Sequence, residues 1–168
     1  MLCVAVFSLL ALSAVAVSGH DSEFSFIAPV GSGSGTTYSI TGEDRITAIR
    51  VWERYSSYIT GLQVCYGLIW SERVGREDNT IHEMELYDGE RIIQVSGKYT
   101  SYIQSLVFVT NMSRSLFVGQ PSGYSFNMFP THEQAELRFL SGRASSYISS
   151  IGTHWAIFTP NTNDTMSN

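Results

Sequence analysis

The stretch Arg54-Tyr55-Ser56-Ser57-Tyr58-Ile59 decides the fold, because its pattern returns twice along the chain. Ser-Tyr-Ile stands at residues 57–59, 101–103 and 146–148, and a basic residue precedes each of these serines by three positions. The copies follow one another at intervals of 44 and 45 residues. The sequence therefore predicts three copies of one structural unit. The blocks that can be overlaid without gaps are residues 49–62, 93–106 and 138–151.

Each block predicts a β-hairpin, with a strand, a short polar turn and a second strand. Apolar and polar side chains alternate after the turn, for example from Leu62 to Tyr66. Alternation with a period of two residues, rich in β-branched and aromatic side chains, is typical of strands. The 14 glycines suit a fold with many tight turns. Since no segment shows a convincing helical period of 3.6 residues, we expect an all-β protein.

The length of the repeat indicates how the hairpins are arranged. A unit of about 45 residues accommodates about four strands, as in a propeller blade. Propellers need about four or more blades, whereas this chain has room for three units. We therefore predict a β-prism, in which three four-stranded antiparallel sheets pack around a pseudo-threefold axis. A sandwich of two sheets is the alternative, but it does not account for the threefold repeat.

The first 19 residues predict a secretory signal peptide. They carry no charged side chain, and the apolar run Leu2–Leu12 is too short to span the bilayer core of about 30 Å comfortably. Small residues follow at Ala14–Gly19, as at a cleavage site; a buried N-terminal strand or helix is the alternative. Glycosylation motifs at Asn111 and Asn163 support the secretory route. We expect a secreted, extracellular glycoprotein without a membrane span.

Composition and charge limit the remaining possibilities. The 168 residues, of which 43% are hydrophobic, suit one domain, which we place at residues 24–158 with a flexible tail at 159–168. With 10 basic and 15 acidic side chains the net charge is −5, which argues against a nucleic-acid partner. Cleavage of the signal peptide removes Cys3 and leaves Cys65 as a free thiol within a strand. We expect Cys65 to act as a small hydrophobic side chain.

No arrangement of residues in the sequence predicts catalysis. The four histidines lack the spacing of metal ligands. The glycine-rich segment Gly31–Gly35 matches neither a nucleophile elbow nor a phosphate-binding loop. We therefore predict no enzymatic activity, no metal and no cofactor, and we assign His154 a structural role because it lies in an alternating strand.

A series of motifs from about Val30 to Phe158 matches one known family in the same order. They are Gly31–Gly35, Ile46–Val51, Gly61–Val64, Ile93–Tyr99, Leu106–Thr110, Leu137–Phe139 and Gly152–Trp155. In these motifs the sequence resembles a jacalin-related lectin. The resemblance implies a β-prism of three four-stranded Greek-key sheets, usually without metal or enzymatic activity. Because the similarity is to small secreted members, it also implies release through secretory granules or into mucus.

The resemblance further implies a sugar site between two loops at one end of the prism. One is a glycine-rich loop after the first strand, and the other is a Gly-x-x-x-Asp loop near the C-terminus. In this chain Ser145 holds the glycine position and Ser149 the aspartate position, and Ser34 interrupts the paired glycines. Loss of a charged hydrogen bond, about 1.5–3 kcal/mol, weakens sugar binding about 10- to 100-fold. The predicted carbohydrate-binding residues are Ser34, Gly35, Ser145, Ser146, Tyr147, Ile148 and Ser149.

Aromatic and basic side chains of the repeat each have two interpretations. Tyr147 could stack on a sugar ring, or it could share a structural role with Tyr58 and Tyr102 at the same position of the other copies. The repeated cations could contact sulfated or carboxylated glycans, or they could be solvated strand ends and nothing more. These cations are Arg54, Lys98 and Arg143.

Two functions follow from these observations. The first is a secreted module that binds glycans or glycoproteins, of the mannose type or with an altered specificity such as microbial cell-wall or sulfated glycans. The second is a prism scaffold that has lost sugar binding and acts through protein contacts in the secretory pathway. In either case we expect a monomer or a weak oligomer.

Overall fold

The computed structural model describes residues 23–159, which form thirteen β-strands and no helix. The all-β prediction is therefore confirmed. The predicted signal peptide (1–19) and the motif at Asn163 lie outside these residues, as does the predicted tail after residue 159. The strands are β1 (Phe24–Gly31), β2 (Thr36–Ile40), β3 (Ile46–Arg54), β4 (Tyr58–Tyr66), β5 (Ile69–Trp70), β6 (Val74–Gly75), β7 (Thr80–Glu85), β8 (Ile92–Tyr99), β9 (Ile103–Thr110), β10 (Ser115–Gly119), β11 (Tyr124–Met128), β12 (Glu136–Ala144) and β13 (Ile148–Ala156).

The strands form three antiparallel sheets, as the threefold repeat predicts. Sheet A has the order β1-β13-β12-β2, and sheet C has the order β10-β9-β8-β11. Sheet B has the order β5-β4-β3-β7, with β6 also paired to β4. The repeated blocks are the central hairpins β12–β13, β8–β9 and β3–β4. The prism is therefore built from one hairpin used three times, which confirms the predicted architecture.

The prediction of four strands in every sheet is right for sheets A and C and wrong for sheet B. There, two short strands, β5 and β6, lie along β4 where the other sheets have one strand. The interruption falls at Ser71, whose amide donates to the Val64 carbonyl at 2.8 Å while its hydroxyl accepts from the Val64 amide at 3.2 Å. A side chain thus replaces part of the backbone ladder, and the edge strand divides in two.

The overlay of the three blocks without gaps is also too simple. In sheet C Val95 lies opposite Phe108, whereas in sheet B the corresponding Val51 lies opposite Leu62, two residues nearer the turn. A shift of two residues keeps every side chain on its face, because the side-chain period of a strand is two. The hydrophobic pattern is therefore unchanged by the shift and does not reveal it.

The tighter turn of the β3–β4 hairpin causes this shift. The Ser57 amide donates to the Arg54 carbonyl at 2.8 Å, and Tyr55 and Ser56 have φ values of 46° and 52°. Two successive positive φ angles are characteristic of a type I′ turn, which usually contains glycine or asparagine. Here the turn contains neither, so the tip of this hairpin is conformationally strained.

The core lies on the axis and comes from the repeated positions. Ile59, Ile103 and Ile148, which each follow the repeated tyrosine, are completely buried. Their neighbours Leu62, Leu106 and Ile151 are buried in the same hydrophobic cluster. Complete burial of such side chains stabilises the fold by about 1.5–3 kcal/mol each. The repeat is therefore a packing requirement, since each sheet contributes the same side chains to one shared core.

Three glycines, which we name the corner glycines, repeat at intervals of 44 residues. Each has a positive φ, and a Cβ atom there would lie within 2.2 Å of a backbone carbonyl oxygen. The residue after each glycine donates its amide to that same carbonyl, at 2.8–3.0 Å. Only glycine permits such an approach. The pairs of corner glycine and carbonyl are Gly31 with Ser149, Gly75 with Thr60, and Gly119 with Gln104.

His154 lies on the outer face of sheet A among aromatic side chains, in keeping with the structural role assigned to it. Its ring centroid is 4.5 Å from that of Phe26 and 6.3 Å from that of Phe139. Its Nε2 atom is 2.9 Å from the Ser141 hydroxyl. Because burial removes water from the imidazole, the pKa of His154 is lowered.

This pKa shift predicts a loss of stability in mild acid. The unfolded chain, with a histidine pKa of about 6.5, takes up a proton before the folded chain does. The free energy of unfolding should therefore fall as the pH drops below about 6.5, until the lowered pKa of the folded state is reached. Urea denaturation of the wild type and His154→Phe at pH values of about 7.5 and 5.5 measures this. Equal losses in both proteins would contradict the assignment.

Candidate functional site

The tyrosines of the three Ser-Tyr-Ile copies meet at one end of the prism. The ring centroids of Tyr58 and Tyr102 are 4.9 Å apart, those of Tyr102 and Tyr147 are 4.4 Å apart, and those of Tyr58 and Tyr147 are 6.3 Å apart. The rings are tilted or edge-to-face, which are favourable aromatic geometries. The ring of Tyr147 is thus packed against both counterparts, which favours the shared structural role over stacking on a sugar. We name this end the tyrosine end and the opposite one the far end.

The two predicted loops lie side by side at the tyrosine end. The Gly31–Gly35 loop connects β1 to β2, and the Ser145–Tyr147 turn connects β12 to β13. Because β2 pairs with β12, Thr36 lies directly opposite Ala144. Gly35 has a φ of 86°, and a Cβ atom there would lie 2.4 Å from the Ala144 carbonyl oxygen. Glycine at position 35 therefore permits the contact between the loops.

A serine hydroxyl fastens the two loops together. The Oγ atom of Ser149 is 2.5 Å from the Ser34 carbonyl oxygen and 2.9 Å from the Arg143 carbonyl oxygen, to which it can donate its single proton. Ser149 is 0% exposed, and its own carbonyl accepts from the Ser32 amide at 2.8 Å. We name this arrangement the Ser149 latch. An ionised carboxylate at this position could make neither of the two hydroxyl contacts, because it has no proton to donate.

The latch divides the predicted site residues into two groups. Ile148 and Ser149 have fully buried side chains, so neither side chain faces a ligand in this conformation. The residues at the other predicted positions are exposed, except that Tyr147 is half-buried. The accessible predicted positions are Ser34, Gly35, Ser145 and Ser146.

The exposed surface of the two loops consists of backbone amides and hydroxyls. Among residues 23–159, none accepts a hydrogen bond from the amides of Gly33, Ser34, Ser146 or Tyr147. The hydroxyls of Ser32 and Ser34 are 2.9 Å apart and exposed. No charged side chain occurs in either loop. Such a surface can donate to and accept from the hydroxyls of a neutral polar ligand.

The repeated cations also lie at the tyrosine end. Arg143 donates from Nη2 to the Gly35 carbonyl at 2.6 Å, and Lys98 donates from Nζ to the Ser125 hydroxyl at 2.9 Å. The guanidinium of Arg54 lies 5.7 Å from the ring centroid of Tyr55. Within the described residues, none of these three cations forms an ion pair with a carboxylate. The structure therefore places three cations without a carboxylate ion pair at the tyrosine end, and one of them, Arg143, contacts a predicted sugar loop.

The predicted glycosylation site Asn111 lies at the far end, just after β9. Its side chain is exposed, and its Oδ1 atom accepts from the Arg91 amide at 2.8 Å. Attachment of a glycan to Nδ2 leaves that acceptor in place. Glycosylation of Asn111 stays a prediction.

Other chemistry is not apparent in the part of the chain that the structure describes. Residues 23–159 contain no helix long and apolar enough to cross a membrane. In the same range no three histidine, cysteine or acidic side chains are placed to hold a metal ion. The Cys65 thiol is buried and lies 3.7 Å from the Gly67 carbonyl oxygen, as expected for a small packed side chain.

Comparison with known sequences agrees with the fold. The jacalin-like lectin domain matches residues 27–154. The chain is 44% identical to zymogen granule membrane protein 16 from Homo sapiens over 161 residues, which cover 94% of this chain and 96% of that protein. Both likenesses extend over nearly all of the three sheets, including the two predicted sugar loops.

Solved structures share the same architecture. The crystal structure of a prostate-specific WGA16 glycoprotein lectin is 30% identical, has a TM-score of 0.72, and is matched over 80% of this chain and 100% of that chain. The mannose binding jacalin related lectin AcmJRL from Ananas comosus is 22% identical, with a TM-score of 0.70 over 82% of this chain and 100% of that chain. The second likeness concerns the fold alone.

Proposed function

The chain belongs to the jacalin-like lectin family, and we propose that it binds carbohydrate between the Gly31–Gly35 loop and the Ser145–Tyr147 turn. One observation carries this proposal: the two loops touch, and they present backbone amides that no described residue engages, beside the exposed hydroxyls of Ser32 and Ser34. Sugar hydroxyls both donate and accept hydrogen bonds, so they match this surface. Backbone amides do not titrate, so such a site holds its ligand without a charge of its own.

The proposed specificity differs from that of a lectin with an aspartate in the second loop. Without a carboxylate at position 149, the site lacks a charged acceptor for two neighbouring sugar hydroxyls. Hydrogen bonds to a charged acceptor are stronger than those to a neutral one. We propose weak binding of single mannose-type residues, and we propose as better ligands longer glycans that contact both loops, such as microbial cell-wall polysaccharides. The Ser149 latch supports this, because it turns the hydroxyl away from the ligand.

A second candidate ligand is an anionic glycan, sulfated or carboxylated. The observation that favours it is the set of unpaired cations at the tyrosine end, two of which, Lys98 and Arg143, lie on the neighbouring sheets C and A. A sulfate or carboxylate group would gain a charged hydrogen bond from either side chain. In this case the uncharged loops would bind the sugar ring and the cations would select the charge.

We also propose that the protein is secreted. The uncharged apolar segment at residues 1–19 and the glycosylation motif at Asn111 support this. The name of the human relative refers to the zymogen granule, and we extend that location to this chain as a proposal.

The alternative function is a scaffold that binds proteins and not sugars. Its support comes from the serines at positions 145 and 149, where a sugar-binding loop of this family has glycine and aspartate.

A glycan array probed with the mature protein separates these possibilities. Neutral glycans retained at low and high salt support the loop site, whereas sulfated glycans retained only at low salt support the cations. A Lys98→Ala variant should lose the sulfated signals and keep the neutral ones. Capture of the same secretory partners before and after enzymatic deglycosylation, together with a blank array, would instead support the scaffold.

Replacing Gly33 by leucine should reduce glycan binding at least tenfold. No atom lies within 4 Å of a Cβ at position 33, and the backbone there is outside the left-handed region, so the fold tolerates the side chain. The leucine would cover the amides of the loop. Isothermal titration calorimetry with the best array ligand measures the loss. Gln120→Leu, at an exposed position in the matching loop of sheet C, is the control; equal binding by both variants would locate the glycan elsewhere.

A further inference from the structure

Charge is distributed unevenly between the two ends of the prism. The tyrosine end holds the three cations without ion pairs. At the far end, by contrast, the arginines are largely paired: Arg45 and Arg138 with Glu136, and Arg114 with Glu90. Carboxylates remain without an ion pair there, within the range that the structure describes. They include Glu43, Asp44, Asp88 and Glu133.

A largely apolar groove lies at the acidic far end. It has a volume of about 450 Å³ and lies between the β2–β3 loop and the β4–β5 turn. Leu68 is 98% exposed and Ile69 75% exposed, and both line the groove. Glu43 and Asp44 stand at its border. Two large apolar side chains held in water beside two carboxylates indicate a surface for a partner that is apolar and basic.

The tip of the β3–β4 hairpin at the tyrosine end has the complementary chemistry. Tyr55 is 71% exposed and stands next to Arg54, which has no ion pair among the described residues. Asp78 in the neighbouring loop is already engaged by Arg76 at 2.9 Å. Tyr55 and Ser56 hold positive φ angles without glycine, a strain of the kind that persists at functional positions. An exposed aromatic side chain and a half-buried cation, whose charge also lowers the pKa of Asp78, therefore lie together at this tip.

We propose that copies of this chain associate head to tail, with the tip Arg54–Ser56 of one copy seated in the far-end groove of the next. Tyr55 lies on Leu68 and Ile69 in this arrangement, and Arg54 faces Glu43 or Asp44. A second copy fits better than an unrelated basic partner, because one chain carries both complementary surfaces at opposite ends. The contact is heterologous, and because the tip and the groove lie at opposite ends of the prism, we expect it to extend from copy to copy into open chains.

The association should be weak and sensitive to salt. A single tip in a groove buries less surface than a stable complex needs, which indicates a dissociation constant between about 10 μM and 1 mM. Charge attraction across the contact is screened over about 8 Å at physiological ionic strength. The inference does not rest on the proposed glycan site, because neither the tip nor the groove includes the two sugar loops.

Sedimentation velocity of the mature chain tests the proposal. Between about 10 μM and 1 mM protein, the mean mass should rise with concentration in low salt and fall when salt is added. Arg54→Glu and Glu43→Lys should each weaken association at least fivefold. An equimolar mixture of the two variants should restore association. In the mixture the tip that carries Arg54→Glu meets the groove that carries Glu43→Lys, so the charges at the contact are again opposite.

Two variants with matched charge changes serve as controls. Lys98→Glu changes a cation at the tyrosine end outside the tip, and Glu133→Lys changes a carboxylate at the far end outside the groove. Both should leave association within about twofold of the wild type. A wild-type chain that stays monomeric at every concentration overturns the proposal. So does equal sensitivity to the controls, failure of the mixture to restore association, or a basic peptide that fills the groove of a chain that never self-associates.

Discussion

Replacing Gly75 by alanine is expected to lower the free energy of unfolding by about 3 kcal/mol. The φ angle of this corner glycine is 79°, where a residue with a Cβ atom is strained by about 1–2 kcal/mol. The added Cβ atom would also lie 2.1 Å from the Thr60 carbonyl oxygen, so β4 or the following loop would have to move. Urea denaturation followed by tryptophan fluorescence measures the change.

The matched control for this variant is Gly33→Ala, in the loop that follows another corner glycine. Position 33 has neither a left-handed backbone nor any atom within 4 Å of a Cβ, so stability should change by less than about 0.5 kcal/mol. Gly31→Ala and Gly119→Ala, by contrast, should each cost about as much as Gly75→Ala. If the three variants lost very different amounts of unfolding free energy, the three glycine–carbonyl contacts would be alike in geometry but not in their contribution to stability.

The double variant Ser149→Asp with Ser145→Gly should strengthen mannose binding about 10- to 100-fold, if the proposed glycan site is correct. A carboxylate at position 149 is repelled by the Ser34 and Arg143 carbonyl oxygens that the serine hydroxyl contacts, so we expect it to turn toward the amides of the loops. The variant should be less stable by about 3 kcal/mol, because the buried carbonyls lose their donor and a carboxylate takes its place. Ser145 does not have a positive φ, so the glycine serves here to open access to the turn and not to relieve strain.

Titration with methyl mannoside, followed by calorimetry or by the amide resonances of residues 146 and 147, measures this gain. Gln104→Asp is the control, because it introduces a carboxylate at the equivalent position of sheet C, away from the Gly31–Gly35 loop. A folded double variant that binds mannose no better than the control would show that the two loops have been assigned wrongly. A gain in both would point to general charge effects.

Much of the fold could be predicted from the sequence because its units are copied. Three similar blocks with a period of two residues specify three similar hairpins, and the shared tyrosine position places their tips on one axis. The corner glycines at 31, 75 and 119 carried an equally clear signal, since they recur at intervals of 44 residues. Their role in contacting carbonyls on β4, β9 and β13 still required the structure, because a glycine in the sequence does not reveal which carbonyl approaches it.

Other features could not be predicted, for physical reasons. A serine at position 149 has the same local sequence whether its hydroxyl faces a sugar or the Ser34 carbonyl, which lies 115 residues earlier in the chain. The shifted register of β3 and β4 depends on positive φ angles at Tyr55 and Ser56. Tyrosine and serine are not residue types that predict such a turn. The division of one edge strand in sheet B depends on a single hydroxyl, that of Ser71.

The contact of Tyr58, Tyr102 and Tyr147 joins the tips of all three sheets into one mechanical unit. A displacement of any one hairpin moves a ring that touches the other two. We therefore expect a molecule held at Ser146 to press on a ring that touches the tips of sheets B and C. Occupation of one tip should then slow hydrogen exchange at the other two, which would make the three copies a single responsive surface although their sequences have diverged.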